Sequence, residues 1–126
     1  MKTIIKTDKA PAPIGPYNQA ILAGDTLYVS GQVAIDPATN QVVQGTIEVE
    51  TILVMNNLKA ILNEAGFGFE DVVKTTIFLS DMGTFAKVNE IYGSYFTGNY
   101  PARETVQVSV LPKNLNVEIS VIAFKG

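Results

Sequence analysis

"EVETILVMNNLKAILNEAG", residues 48–66, is the stretch that decides the fold, because the spacing of apolar residues changes here from that of a strand to that of a helix. The apolar residues recur at i, i+3, i+4 and i+7, as on one face of an amphipathic helix; they are Val54, Met55, Leu58, Ile61, Leu62 and Ala65. Gly66 follows, and a glycine there supplies a left-handed stop. The pattern predicts a helix from about Glu48 to Ala65.

Strand patterns flank this helix on both sides. Before it, "MKTIIKT" (1–7) is typical of a short strand, and "NQAILAGDTLYVSGQ" (18–32) is typical of a β-hairpin around a Gly-Asp turn. The prolines of "APAPIGPY" (10–17) favour an extended, turning loop between them. "DPATNQVVQG" (36–45) is expected to be a polar loop, and "DVVKTTIFLSD" (71–81) predicts a strand rich in β-branched residues.

The C-terminal part of the chain predicts one more helix and two more strands. Asp81 is a candidate cap for the second helix, in which one face carries Phe85, Val88, Tyr92, Tyr95 and Phe96. Strands are expected at about Glu104–Val110 and Val117–Phe124, joined by a turn containing "LPKN". The order β-β-β-α-β-α-β-β predicts a single α+β domain, with two helices packed on one face of a six-stranded mixed sheet.

The alternation of side chains along the last two strands predicts which face the helices cover. We expect one parity to lie under the helices: Val106, Val108, Val110, Val117, Ile119, Val121 and Ala123. The opposite parity consists of Arg103, Thr105, Gln107, Ser109, Glu118, Ser120, Ile122 and Phe124. Such a mixture of apolar and hydroxyl side chains fits a subunit interface better than a solvated face. The pattern therefore predicts a homo-oligomer.

Composition excludes several classes of site. The chain has 126 residues, one domain's length, with a net charge of −3 and scattered lysines, which argues against nucleic acid as a partner. It contains no cysteine and no histidine, so Ser-His-Asp or Cys-His catalysis and thiolate or imidazole zinc sites are excluded. No apolar run approaches the roughly 20 residues of a membrane span, and the N-terminal stretch lacks the apolar core of a signal peptide. We expect a cytoplasmic protein.

Arg103, in "NYPARETVQVSVLP" (99–112), is the single arginine of the chain. A guanidinium fork binds a carboxylate bidentately, whereas lysine offers only a point charge. If the last two strands pair, Glu118 lies beside Arg103 on the same side of the sheet. Two interpretations stay open. Arg103 has a structural role, in an ion pair with Glu118 or as an arginine lying on the surface, which is the commoner case, or it holds the carboxylate of a ligand.

Five further residues are candidates, each with a structural alternative. Ser30 and Gly31 combine a hydroxyl with a backbone N–H that a ligand can approach closely, although "SGQ" also suits the end of a strand. Tyr17 follows the stiff proline-rich loop, where a tyrosine is usually a packing residue. Asn89 lies in the second helix and either faces solvent or braces a loop. Thr105 offers a hydroxyl or a backbone N–H, or simply supports its strand.

Several segments, in this order and spacing, closely resemble the RidA (reactive intermediate deaminase A, YjgF-type) family of imine deaminases. They are "APAPIGPYNQA", "LYVSGQ", "VVKTTIFLSDM", "FAKVNEIYGSYF", "YPARETVQV" and "LPKNLNVEISVIA", and they span nearly the whole chain. The most specific elements are "IGPY", "SGQ", the arginine of "PAR" and the glutamate of "VEI".

This resemblance implies a chorismate-mutase-like fold and a homotrimer with a central β-barrel, with sites in the clefts between subunits. The family's site residues fall on Tyr17, Ser30, Gly31, Asn89, Arg103, Thr105 and Glu118. By the resemblance, Arg103 anchors the carboxylate of a 2-imino acid, Gly31 and Thr105 offer N–H groups, and Glu118 positions the water. The products are a 2-oxo acid and ammonia, formed without a metal or organic cofactor.

Two points stay open within the resemblance. Many relatives have a cysteine at the position of Thr105, so thiol-based modification there is absent and substrate preference is in question. Ser30 and Tyr17 are both candidates to bind the imine nitrogen or to pass a proton. The alternative function is a regulatory or chaperone-like protein that uses the same trimeric scaffold without significant catalysis.

Overall fold

A six-stranded sheet with two helices on one face forms the body of the protein in this computed structural model, which describes residues 1–126. The sheet strands are β1 (Lys2–Ile5), β2 (Ala20–Ala23), β3 (Thr26–Gln32), β6 (Val72–Leu79), β7 (Ala102–Gln107) and β8 (Val117–Phe124). Their order is β1-β2-β3-β8-β6-β7, and only β6 and β7 are parallel. The helices are α1 (Ile47–Glu64) and α2 (Phe85–Gly93). The prediction of an α+β domain with a six-stranded mixed sheet is confirmed.

The long helix α1 forms where the sequence predicts it, displaced by one residue at each end. The Thr46 hydroxyl accepts a hydrogen bond of 3.2 Å from the Val49 N–H and caps the helix. Gly66, at φ 80°, turns the chain out of the helix. Of the predicted apolar face, Val54, Met55, Leu58, Ile61 and Leu62 are fully buried between α1 and the sheet, whereas Ala65, just past the end of the helix, is partly buried. Neither helix has the length and apolar content needed to cross a membrane.

The second helix is shorter than predicted. Asp81 caps a 3-10 turn at Met82–Thr84, where its carboxylate accepts a hydrogen bond of 2.8 Å from the Gly83 N–H, and α2 begins directly after this turn. The helix ends at Gly93, so Tyr95 and Phe96 lie beyond it. The rings of these two residues instead pack edge-on against Phe69, with centroids 5.5 and 5.3 Å away.

The predicted polar loop before α1 contains a small two-stranded ribbon, β4 (Ile35–Asp36) and β5 (Gln41–Val42). The buried Asn57 side chain of α1 donates a hydrogen bond of 3.0 Å to the Ile35 carbonyl. The ribbon is therefore attached to the long helix and not only to its own turn.

The expectation that the last two strands pair with each other is wrong. β8 lies in the interior of the sheet between β3 and β6, whereas β7 lies at its edge, parallel to β6. The reason is the crossover: two parallel neighbours need a long connection, and α2 supplies it between β6 and β7. The "LPKN" segment then carries the chain past β6, with Lys113 and Asn114 at φ 60° and 54°.

The expectation of which β7 side chains lie under the helices is also wrong, because β7 pairs with β6 and not with β8. Arg103 is in register with Thr75, which is buried beneath the helices, so Arg103 lies on the helix-covered face. Val106 is in register with Phe78 on the opposite face and is 46% exposed. Thr105 and Gln107 share the parity of Arg103. β7 is an edge strand with little covering on either face of the sheet, so the valines of this strand do not indicate which face is buried.

The expectation for β8 is confirmed, and the face without helices carries a row of apolar side chains beside the polar Glu118 and Ser120. Val117, Ile119, Val121 and Ala123 are buried under the helices. On the other face, neighbouring strands place four side chains side by side across the sheet, in the order Ile4, Ile21, Tyr28 and Ile122. Tyr28 and Phe124 on this face are each 50% exposed. An uncovered row of this kind is typical of an interaction surface.

The packing of α1 leads to a stability prediction. Leu58→Ala should lower the free energy of unfolding by about 2–5 kcal/mol, because the side chain is fully buried and its loss leaves a cavity. Lys59→Ala is the matched control, since Lys59 is exposed on the next position of the same helix. Urea unfolding at one fixed protein concentration measures both variants. Equal stability of the two would contradict this assignment of the core.

Candidate functional site

The candidate residues lie around two separate clefts of the chain. The arginine cleft has a volume of about 510 Å³ and is lined by Asn89, Tyr92, Gly93, Tyr100, Pro101 and Arg103. The glutamate cleft has a volume of about 350 Å³ and is lined by Ile14, Tyr17, Ser30, Gly31, Val33, Ile35, Pro112 and Glu118. The first opens beside α2 at the edge of the sheet, and the second opens on the face without helices.

The Arg103 side chain is held in one orientation by three residues of α2. Its Nη1 donates a hydrogen bond of 2.6 Å to Asn89 Oδ1. The guanidinium carbon lies 5.5 Å from the ring centroid of Phe85 and 5.1 Å from that of Tyr92. Each such cation–π contact is worth about 0.5–1 kcal/mol at an exposed position. Arg103 is therefore oriented before any ligand arrives, and its remaining N–H groups have no partner in the chain.

The positive charge of Arg103 also has no acidic partner. The ion pairs of the chain join Lys74 to Glu104 at 3.4 Å and Lys87 to Glu48 at 3.6 Å. The Arg103–Glu118 ion pair, one structural interpretation of the sequence, is absent within the chain. A guanidinium that is fixed but not neutralised is suited to bind an anion.

Tyr92 supports Arg103 without neutralising it. Its hydroxyl donates a hydrogen bond of 3.0 Å to Thr75 Oγ1. Burial raises the pKa of Tyr92, while the Thr75 hydrogen bond and the Arg103 charge act in the opposite direction. The net shift of this pKa is upward from its ordinary value of about 10, so the phenol is protonated and neutral near neutral pH.

Glu118 lies on the open face of β8, directly against Gly31. The pairing of β3 with β8 shifts register between Val29 and Gln32, and Gly31 lies within this irregular segment. A Cβ at Gly31 would stand 2.9 Å from the carboxyl carbon of Glu118, so any other residue here would displace the carboxylate from this position. Burial raises the pKa of Glu118. A half-buried carboxyl with a raised pKa is suited to accept or hold a proton.

Tyr17 and Ser30 differ in whether their hydroxyl protons are already used. The Ser30 hydroxyl donates a hydrogen bond of 2.6 Å to the Asn18 carbonyl. The Tyr17 hydroxyl accepts a hydrogen bond of 3.4 Å from the Ile14 N–H, and its own proton has no partner in the chain. Of the two, Tyr17 has the proton that is free to be donated.

Thr105 presents its backbone at the open edge of the sheet and its hydroxyl toward the interior. The Val108 N–H donates 2.9 Å to the Leu79 carbonyl, so alternate residues of β7 bond to β6. The N–H groups of Arg103 and Thr105 consequently point away from the sheet. The Thr105 hydroxyl oxygen is buried without a hydrogen-bond partner.

Within one chain the two clefts are separate. The expectation that Glu118 lies beside Arg103 on the same side of the sheet is therefore wrong. The residues lie on opposite faces of the sheet, on strands separated by β6. By register they are displaced by three residues along the strands and two strands across, about 10 Å in each direction. A single small ligand can touch both only if clefts from different copies of the chain meet.

The two aromatic residues that orient Arg103 are not predicted as site residues by the sequence. Phe85 and Tyr92 stand four residues before and three residues after Asn89, so all three share one face of α2. That spacing was visible in the sequence, but an aromatic face on a helix is usually a packing face.

The buried amide of Gln19 was also missed. Its Nε2 donates to the carbonyls of Thr7, Ala10 and Pro11 at 3.0, 3.3 and 2.8 Å, and its Oε1 accepts from the Thr7 N–H at 2.8 Å. Gln19 therefore holds the start of the proline-rich loop that leads to Tyr17. A polar residue at the start of the apolar run "AILA" was the only signal in the sequence.

Comparison with known proteins finds relatives over nearly the whole chain. The model of the family described as Endoribonuclease L-PSP matches residues 7–125. A RutC family protein of Pyrococcus horikoshii is 51% identical over 125 residues, which cover 99% of this chain and 99% of that protein. The 2-iminobutanoate/2-iminopropanoate deaminase of Rattus norvegicus is 48% identical over 126 residues, which cover 100% of this chain and 92% of that protein.

The fold is also that of a solved relative with a small molecule. The crystal structure of E. coli TdcF with bound serine matches with a TM-score of 0.94 at 37% sequence identity. The match covers 98% of this chain and 99% of that chain.

The unpartnered hydroxyl of Thr105 generates a prediction. Thr105→Val should leave the free energy of unfolding unchanged or raise it by up to about 1 kcal/mol, because it removes a buried polar atom that lacks a hydrogen bond. Thr105→Ser keeps the hydroxyl, loses a methyl group and should be less stable than Thr105→Val. Urea unfolding compares the three proteins. A loss of stability in Thr105→Val would mean that the hydroxyl has a partner in solution.

Proposed function

This chain belongs to the Endoribonuclease L-PSP family, which is also called the YjgF/RidA family, and from that premise we propose that it is a 2-imino acid deaminase. Its substrates are 2-iminopropanoate, 2-iminobutanoate and the enamines in equilibrium with them, and its products are 2-oxo acids and ammonia. The observation that carries this proposal is the Arg103 guanidinium, which is fixed in orientation and has no acidic partner.

Arg103 binds the carboxylate of the imino acid. Asn89 occupies one of its donors, which leaves the others to form a bidentate pair with a carboxylate. The serine bound to TdcF supports a site for small molecules with an α-carboxylate. The free N–H groups at the β7 edge, including that of Thr105, add donors beside Arg103.

The site forms between two copies of the chain in a homotrimer. Arg103, Asn89 and Thr105 come from one copy, and Tyr17, Ser30, Gly31 and Glu118 come from its neighbour. The separation of the two clefts within one chain supports this arrangement, as does the uncovered apolar face that contains Tyr28 and Phe124. The open edge of β7 provides a further surface for association. The number of three subunits and the central β-barrel rest on the resemblance to the family.

Hydrolysis then follows from the groups in the two clefts. Arg103 holds the substrate so that the imine carbon faces a water molecule beside Glu118. Glu118 accepts a proton from this water as the oxygen bonds to the imine carbon, and the π electrons of the C=N bond move to nitrogen. Tyr17 donates a proton to that nitrogen. In the resulting carbinolamine the Glu118 carboxyl returns its proton to the nitrogen, and the Tyr17 phenolate takes the hydroxyl proton. The C=O bond forms as the C–N bond breaks, and ammonia and the 2-oxo acid leave. General-base assistance of this kind is typically worth about 10²–10⁴-fold.

A regulatory role without significant catalysis is the second candidate, and many similar proteins are named only as RutC family members. RNA cleavage, which the family description suggests, is less favoured. The chain has no histidine, a single arginine and a net charge of −3, whereas RNA binding through phosphates needs clustered cations.

Arg103→Ala should lower kcat/KM for 2-iminopropanoate and 2-iminobutanoate by about 10²-fold or more, because the carboxylate loses its charged, bidentate partner. Arg103→Lys keeps the positive charge but cannot bind a carboxylate through two parallel N–H groups. Its kcat/KM should lie between those of the wild type and of Arg103→Ala. The assay couples a dehydratase that releases the imine to semicarbazide trapping, and light scattering checks that assembly is unchanged. Near wild-type rates in correctly assembled Arg103→Ala would refute the role of Arg103. Absence of activity in the wild type would favour the regulatory role.

The raised pKa of Glu118 predicts the pH dependence. The carboxylate must be ionised to accept a proton. With Arg103 paired to the carboxylate of the bound substrate, kcat should therefore fall as the pH drops through a pKa above the roughly 4.3 of an ordinary glutamate. Glu118→Gln should remove this acidic limb and lower kcat by about 10²–10⁴-fold. Rates are measured across the pH range after subtraction of spontaneous hydrolysis. The same acidic limb in Glu118→Gln would show that another group titrates.

A further inference from the structure

A buried carboxylate outside the two clefts has no role in the chemistry described above. Glu50, in the first turns of α1, is 1% exposed. Its Oε1 accepts a hydrogen bond of 3.0 Å from the Asn116 backbone N–H, and its Oε2 accepts one of 2.6 Å from Asn116 Nδ2. No lysine or arginine pairs with it. Its charge is balanced only by these donors and by the N-terminal end of the α1 dipole.

Asn116 uses its other polar atoms to bind the end of β6. Its Oδ1 accepts a hydrogen bond of 2.8 Å from the Ser80 hydroxyl, and its carbonyl accepts one of 3.2 Å from the Ser80 N–H. One residue is thus bound to both the helix layer and the sheet. Asn116 stands immediately before β8, two residues before Glu118.

The loop that ends at Asn116 forms a wall of the glutamate cleft. Pro112 lines this cleft together with Glu118. Lys113 and Asn114, which lie between Pro112 and Asn116, have left-handed backbone conformations, at φ 60° and 54°. Non-glycine residues in this region cost about 1–3 kcal/mol each and persist only where the surroundings hold them. The two hydrogen bonds that Asn116 donates to the buried Glu50 carboxylate hold the end of this loop.

We propose that Glu50 is a positioning residue for Glu118 and Pro112 and that it acts through Asn116; this inference rests on the proposed deaminase function. Burying a carboxylate costs several kcal/mol, and an apolar side chain would fill the same space without that cost. Unlike an apolar side chain, the carboxylate makes directional contacts, because it accepts hydrogen bonds from two N–H groups of one asparagine. That pair of bonds fixes where β8 begins, and hence where the Glu118 carboxylate stands relative to the water it activates.

Positioning is distinguishable from general stabilisation by the kinetic constant that changes. Arg103 is oriented by α2 and is in register with Thr75 of β6, five residues before Ser80, so it lies about 16 Å along the strand direction from the contacts of Glu50. Loss of the Glu50 contacts should therefore lower kcat and leave substrate binding unchanged. A loss of stability alone would reduce the amount of active protein and would be corrected by measuring the folded fraction.

The experiment compares Glu50→Ala, Glu50→Gln and the control Glu48→Ala in the full-length protein. In Glu50→Ala, kcat should fall about 10–100-fold with KM within about twofold, because a misplacement of 1 Å can cost about 10²-fold. Glu50→Gln should keep kcat within about fivefold: its carboxamide oxygen still accepts the Asn116 N–H, and the Asn116 amide can rotate to pair with the new NH₂ group. Glu48 lies two residues before Glu50 in α1 and forms a surface ion pair with Lys87 of α2. Glu48→Ala removes this ion pair and should leave kcat unchanged.

Hydrogen exchange of residues 112–118 gives a readout independent of activity. Exchange in this segment should be faster in Glu50→Ala than in the wild type and unchanged in Glu48→Ala. If Glu50→Ala does not fold, Asn116→Ala replaces it. This variant removes one of the two bonds to Glu50 together with the bond from the Ser80 hydroxyl, and it keeps the backbone N–H. The same fall in kcat at constant KM is expected.

Each result separates the two claims. An inactive wild type refutes the proposed function, and hydrogen exchange then decides the positioning claim alone: unchanged exchange in the variant overturns it. An active wild type with an unchanged kcat in the folded variant overturns the inference and leaves the function intact. So does a KM that rises in step with the loss of kcat.

Discussion

The position of β6 between β7 and β8 is the constraint on which the rest of the structure depends. The α2 crossover makes β7 a parallel neighbour of β6, so β8 must pair on the other side of β6. Arg103 is thereby placed at the sheet edge, against the aromatic face of α2, and Glu118 is placed on the face without helices. Had β7 and β8 formed a hairpin, the two residues would have become an ordinary ion pair.

The separation of these charges within one chain keeps both chemically available. A guanidinium beside Glu118 would lower the pKa of the carboxyl and would itself be neutralised. Instead burial raises the pKa of Glu118, and Arg103 keeps an uncompensated charge between two aromatic rings. In the proposed assembly the two meet only across subunits, with the carboxylate of the substrate as the partner of Arg103. Oligomerisation would then complete the site as well as cover the apolar face.

The walls of the glutamate cleft are held by buried polar side chains from outside it. Gln19 holds the loop before Tyr17, Asn57 bonds to the Ile35 carbonyl, and Glu50 holds Asn116. Each satisfies backbone groups of a segment that has no regular secondary structure or only two strand residues. Loops of this kind cannot form hydrogen bonds to all of their own N–H and C=O groups. Buried amide and carboxylate side chains form these bonds instead and thereby hold the loop backbone in place. The shape of the cleft thus depends on groups that never touch a ligand.

The sequence by itself determined the long helix and the six strands of the main sheet, because the periods of 3.6 and 2 and the stop at Gly66 are local properties of the chain. The end of α2 and the β4–β5 ribbon followed only from the structure. The sequence also determined the family, since "IGPY", "SGQ", "PAR" and "VEI" are read directly, and with it the seven candidate residues. It did not determine which face Arg103 occupies: alternation along β7 assigns residues to two faces without saying which is covered, and an edge strand is poorly covered on both. Nor did it reveal the roles of Gln19, Glu50 and Tyr92, whose partners lie up to 66 residues away. Only the tertiary structure decided these points, because strand order and buried polar contacts depend on which distant segments the crossover brings together.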